Sequence, residues 1–80
     1  MFKSEFQTAA IDAMVETSKR FGSTEGYLLR LRADVERELG QVAIAAEQGT
    51  EFAKMFCDAR ARECYLALNR IDLHLANLGY

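Results

Sequence analysis

His74 is the only histidine in the chain, and Arg70 and Asp72 stand beside it. An imidazole is the most common general base near neutral pH, but it needs a nucleophile to act on. No hydroxyl or thiol follows at helical spacing from His74, so it reads as a surface residue rather than a catalyst. Cys57 and Cys64 stand seven positions apart. On a helix that is two turns, about 10 Å of rise, and a disulfide needs Cα atoms within about 7 Å. They read as two small core residues; the sharper alternative is a disulfide across a symmetric dimer, or a reactive thiol. Two thiols without a nearby histidine do not make a zinc site.

The remaining groups point the same way. Glu36, Glu38, Glu47, Glu51 and Glu63 form no Glu-x-x-His pair of the kind that holds di-iron in a bundle. Phe21-Gly22-Ser23-Thr24-Glu25-Gly26 lacks the lysine and the spacing of a phosphate-binding loop. Ser4, Ser18 and Ser23 fall at expected helix ends, where capping is their ordinary work. No catalytic residue, metal or cofactor is therefore expected, and the chain does not read as an enzyme.

What carries information is the arrangement of apolar residues. The chain has 80 residues, no proline, and a composition that is 50% apolar and 28% charged. That excludes disorder and fits a single domain spanning residues 1–80. Val and Ile are few while Ala, Leu, Glu and Arg are many, which predicts helices rather than strands. A net charge of −2 offers no basic footprint for nucleic acid or for an anionic membrane. No apolar run approaches the roughly 20 residues of a membrane span. The amphipathic N-terminal stretch contains Glu5, Asp12 and Glu16, unlike a signal peptide. A cytoplasmic location is the expectation.

Three helices follow from periodicity and caps. Ser4-Glu5-Phe6-Gln7 resembles a capping box, and Phe6, Ala10, Ala13, Met14, Thr17 and Phe21 follow at helical spacing. Helix one is expected from about Glu5 to Phe21, stopped by Gly22. Ser23 or Thr24 caps helix two, whose apolar series is Leu28, Leu31, Val35, Leu39, Val42 and Ala46. Gly40 lies within it, as a tolerated or closely packed residue or as a kink. Gln48-Gly49-Thr50 is the clearest break: Gly49 suits the left-handed position after a helix, and Thr50 caps the next. Helix three runs on to about Asn77, with Gly79 as its stop. Arg30/Asp34, Arg32/Glu36, Lys54/Asp58 and Asp58/Arg62 are i,i+4 pairs. So short a connection makes helices two and three an antiparallel hairpin. The predicted fold class is all-α: three helices dominated by that long hairpin, with a shorter N-terminal helix packed against part of it.

Helix three is apolar on two opposite sides. One stripe is Cys57, Ala61, Cys64, Leu68, Ile71, Leu75, Leu78; the other is Phe52, Met55, Ala59, Leu66, Leu73, with Phe56 beside it. The first is the natural seam for helix two. Helix one can cover the second through Phe6, Met14 and Phe21, and a partner or second copy can cover part of it as well. Left in water, such a stripe is larger than a soluble monomer usually exposes.

In layout, the hairpin Leu28 to Glu47, Gly49-Thr50, Glu51 to Leu75 resembles the small co-chaperones of type III secretion needle subunits. The likeness covers about the last two-thirds of the chain, rests on element lengths and a Gly-containing turn, and includes no diagnostic motif; helix one departs from it. It implies a compact hairpin that holds an aggregation-prone helical protein in the cytosol. Short acidic helical chains without motifs also occur among phage-encoded inhibitors, immunity proteins and antitoxins. The favoured expectation is a non-enzymatic protein-binding module that occupies an apolar helical surface of another protein through Phe52, Met55, Phe56, Leu66 and Leu73, with Phe2, Tyr27 and Tyr65 as further candidates. No small-molecule substrate, cofactor or membrane is expected, and nucleic acid is a secondary reading. That reading is a dimeric regulator using Arg30, Arg32, Arg37 and Arg60, which absence of a gel shift at low salt would reject. The third is a purely structural homodimer, which a stable monomer in light scattering would reject.

Overall fold

The computed structural model describes residues 6–79. It contains α1 (Thr8–Lys19), α2 (Thr24–Gln48) and α3 (Glu51–Asn77), with no strand among the described residues. The hairpin of α2 and α3 sets the long dimension of a body measuring 45 × 20 × 15 Å.

The first helix departs from expectation at both ends and in register. Its N-cap is Gln7, in extended conformation and without a side-chain cap bond. The expected capping box placed Gln7 three residues inside the helix; Ser4 and Glu5 lie outside the described residues. The buried face is Ile11, Val15 and Ser18, with Phe6 tucked in ahead of the helix. Met14 and Phe21, expected to pack, are exposed. Two overlapping stripes compete on a twelve-residue helix, and the one with two β-branched residues in an i,i+4 pair buries more than one containing Ala13 and Thr17. The same rotation brings Asp12 to α3. Ser18 is not a cap: its hydroxyl bonds the Val15 carbonyl at 2.8 Å and shares a 3.0 Å bond with the Thr24 hydroxyl, tying the end of α1 to the start of α2.

Gly22 stops α1 as expected. Its φ is +67°, and the Ser23 N–H reaches back to the Ser18 carbonyl at 3.1 Å, the long bond of a Schellman closure. Gly49 differs. Its φ and ψ of −95° and 170° are extended, not left-handed. Glycine is required there by space: a Cβ would stand 2.8 Å from the Ala53 Cβ and 3.2 Å from the Ala45 carbonyl oxygen. Thr50 caps α3 as expected, accepting a bond from the Ala53 N–H at 3.3 Å. Gly49→Ala should therefore cost about 1–2 kcal/mol, the strain of overpacking partly offset by a stiffer unfolded chain. Thermal melts followed by circular dichroism would check it; an unchanged or raised midpoint would show that the turn has slack. Gly79 closes α3 at φ +95°.

The core is Phe6, Ile11, Val15, Leu28, Leu31, Val35, Cys64, Ala67, Ile71 and Leu75, flanked by Tyr27, Leu39 and Leu68. All of it lies in the half of the hairpin that α1 covers. No residue from 36 to 59 is buried, although α2 runs unbroken through Gly40. The hairpin thus has a three-helix base and a two-helix arm. On the arm, the expected seam residues Leu39, Val42, Ala46 and Cys57 are only half-buried. Neither cysteine is in a disulfide; Cys64 lies in the core and Cys57 is half-buried on the arm.

Candidate protein-binding face on the third helix

The groups with chemical potential form two clusters, and both join helices together. Arg70 donates from Nε and Nη2 to the two carboxylate oxygens of Asp12 at 2.8 and 2.5 Å. His74 Nε2 lies 2.7 Å from Asp12 Oδ1. His74 is therefore half-buried in an α1–α3 contact rather than a plain surface residue. The Arg70 bonds first, then that of His74, hold the Asp12 carboxyl well below the usual carboxylate range, and Asp12 in turn raises Arg70. A depressed folded-state value stabilises above the unfolded value of about 3.9 and is lost as pH falls through the folded one. The melting difference between the chain and its Asp12→Asn variant should be full at pH 7 and close below about pH 4. A gap independent of pH in thermal melts would show that the charge does no such work.

The second cluster is Arg60 and Glu38. Arg60 donates from Nε and Nη2 to Glu38 Oε1 at 3.0 and 2.8 Å, and its guanidinium stands 5.9 Å from the centroid of the Phe6 ring. Arg60 is 5% exposed, which removes it from any docking surface. Of the other arginines considered for nucleic acid, Arg32 bonds both Glu36 and Asp72, Arg37 pairs with Asp34, and Arg30 is exposed. Arg30 and Arg32, two apart on one helix, cannot share a face. The four do not form one basic surface. No ion pair joins Lys54, Asp58 and Arg62 among the described residues, and Asp34 pairs with Arg37 in place of Arg30.

The outward side of α3 is where the structure leaves apolar area in water. Phe52 is 81% exposed, Met55 70%, Leu66 54% and Leu73 51%. The opposite side, through Cys64, Ile71 and Leu75, packs into the core. α1 does not cover the outer stripe, contrary to one expectation. It lies on the flank of α3 that carries Arg60, Ala67, Ile71 and His74, because Ile11 and Val15 fill the groove between α2 and α3. Phe56 is partly exposed at the edge of this face, beside a groove lined by Val42, Ala45 and Cys57. Tyr65 is exposed on the far flank, Tyr27 packs against the core, and Phe2 lies outside the described residues.

The stripe is more regular than its apolar members suggest. Phe52, Met55, Ala59, Arg62, Leu66, Asn69, Leu73 and Ala76 follow a strict 3-4 alternation, and every one is exposed. Arg62 and Asn69, polar residues to which an apolar periodicity is blind, stand within a seam of coiled-coil type. Ile44 is exposed on the arm and falls off the spacing of the α2 seam, so that periodicity does not mark it. Two depressions border the face beside the start of α1, holding about 180 and 270 Å³ and sharing Leu66. Each is smaller than the roughly 300–1,000 Å³ of small-molecule sites. Among the described residues no group of His, Cys, Asp and Glu could hold a metal ion, and no helix is long and apolar enough to cross a membrane.

No family model, curated protein or solved structure matches this chain.

Proposed function

We propose that this protein is a small, non-enzymatic binding module that docks an apolar helical surface of another protein along the outer face of α3. The observation that carries the reading is the exposed seam of Phe52, Met55, Ala59, Leu66 and Leu73, interrupted by Arg62 and Asn69, on a helix whose other side is already packed. A fully buried side chain of this size contributes roughly 1.5–3 kcal/mol. These four large residues keep half or more of their area in water, so a partner that covers them recovers much of that. Aromatic and methionine side chains suit such recognition, because they present large contact areas and adapt their shape. The absence of buried residues on the arm supports the same reading, since a docked helix would give that half of the hairpin a third layer. Two cysteines outside any disulfide suit a reducing cytoplasm.

Phe52→Asp with Leu66→Asp should abolish capture of the partner from native lysate while leaving the far-ultraviolet spectrum unchanged. If the double variant loses its helices, those residues stabilise the fold and the face is not a docking site. If capture persists, binding lies elsewhere.

A further inference from the structure

The charges along the exposed seam restrict what can lie on it, an argument that rests on the docking reading above. We infer that the occupant is an amphipathic helix of another protein with a basic rim and one carboxylate near the centre of its apolar seam, and that a second copy of this chain is excluded by charge. The alternation of three and four over residues 52–76 is the 3.5-residue period that keeps one helix against another. One edge of the seam carries Glu51, Asp58, Tyr65 and Asp72, each immediately before a seam residue. Asp72 is held by Arg32 at 3.0 Å, whereas Glu51 and Asp58 have no ion-pair partner among the described residues. The other edge carries Phe56, Glu63, Arg70 and Asn77, and Arg70 is engaged by Asp12. The uncompensated rim is therefore acidic, at Glu51, Asp58 and Glu63. The arm as a whole, residues 36–59, holds five carboxylates and two basic side chains.

Within the seam, Arg62 is a cation with no ion-pair partner among the described residues and exposed. A docked helix that covers it must supply an acceptor, since a desolvated unpaired charge is strongly unfavourable. A single polar position in a seam also sets register. A second copy meets these demands poorly. In parallel register it sets Asp58 opposite Glu63 and Arg62 opposite Arg62. In antiparallel register the edge of Glu51, Asp58 and Asp72 faces its own copy. Like charges across a seam disfavour pairing. Lysine or arginine on both rims of a foreign helix, with one Glu or Asp facing Arg62, satisfies each charge.

The test uses two synthetic helical peptides of about three heptads, each with leucine along the seam and one central glutamate. One has lysine rims and the other glutamate rims. Fluorescence anisotropy with the full chain should show the lysine-rimmed peptide binding at least about tenfold more tightly, with the difference shrinking as salt rises. Asp58→Lys, and separately Glu51→Lys with Asp58→Lys, should narrow or reverse that preference while circular dichroism stays unchanged. Phe52→Asp with Leu66→Asp should abolish binding of both peptides, although it makes the face more acidic. Equal affinity for the two peptides, lost in the Phe52/Leu66 variant, overturns the basic occupant and leaves the docking face standing. Binding indifferent to the Phe52/Leu66 variant overturns both, and no binding of either peptide overturns the inference. Sedimentation showing a micromolar dimer that Leu66→Asp dissociates would identify a second copy as the occupant.

Discussion

Ile71→Ala should lower the stability of the folded chain by about 3 kcal/mol, while Leu66→Ala, five residues earlier on the same helix, should cost less than about 1 kcal/mol. The two side chains are isomers, so their transfer from water is equally favourable. Ile71 is fully buried in the common core that also holds Ile11, Val15 and Leu28, and its truncation leaves a cavity in that close-packed interior. Leu66 is 54% exposed on the outward seam, and water takes the place of its lost methyl groups. A domain of this size has a total stability on the order of 4–12 kcal/mol, so the first substitution removes a large share of it. Urea unfolding with an unchanged slope would measure both values. Comparable losses at the two sites would mean that the outer face of α3 is covered in solution, by a second copy or otherwise.

Arg60→Ala should be comparably damaging, by about 3 kcal/mol, equivalent to roughly 12–24 °C in melting temperature for a domain of this size. The guanidinium is nearly enclosed, gives two bonds to one oxygen of the half-buried Glu38, and lies over the Phe6 ring. Removing it leaves a partly desolvated carboxylate and an unfilled space at the junction of base and arm. Replacing both partners by leucine should restore most of the loss, because an apolar pair of similar volume avoids the cost of desolvating two charges. A double-mutant cycle separates these contributions. If Arg60→Ala alone is nearly neutral, the junction is open to water and the ion pair adds little.

The arrangement also accounts for how one short chain maintains an exposed apolar helix. The base, with its ten-residue core, fixes α3 from Arg60 to Leu75. The arm extends that helix beyond the start of α1, which lies beside Arg60 and Leu66, so its outer seam is presented by a helix rather than by a loop. Arg62 and Asn69 interrupt the seam. Polar groups at such positions weaken indiscriminate sticking and favour a partner with matching chemistry.

Capping and periodicity by themselves determined the three helices, the antiparallel hairpin, the stops at Gly22 and Gly79, the Thr50 cap, and the presence of two apolar sides on α3. Each depends on residues within a turn or two of one another, so the chemistry that decides it is written locally. Only the tertiary structure decided which of those sides is covered. On α1, two stripes overlapped, and the groove between α2 and α3 selected Ile11 and Val15 over Met14 and Phe21. At Gly49, the approach of Ala53, rather than the backbone angle, explains the glycine. The partners of Asp12, at Arg70 and His74, are some 60 residues away, and those of Arg60, at Glu38 and Phe6, lie on other segments. An amphipathic pattern states that a face prefers to leave water, but what covers it is a property of the neighbours that packing brings near, and no spacing along one helix encodes them.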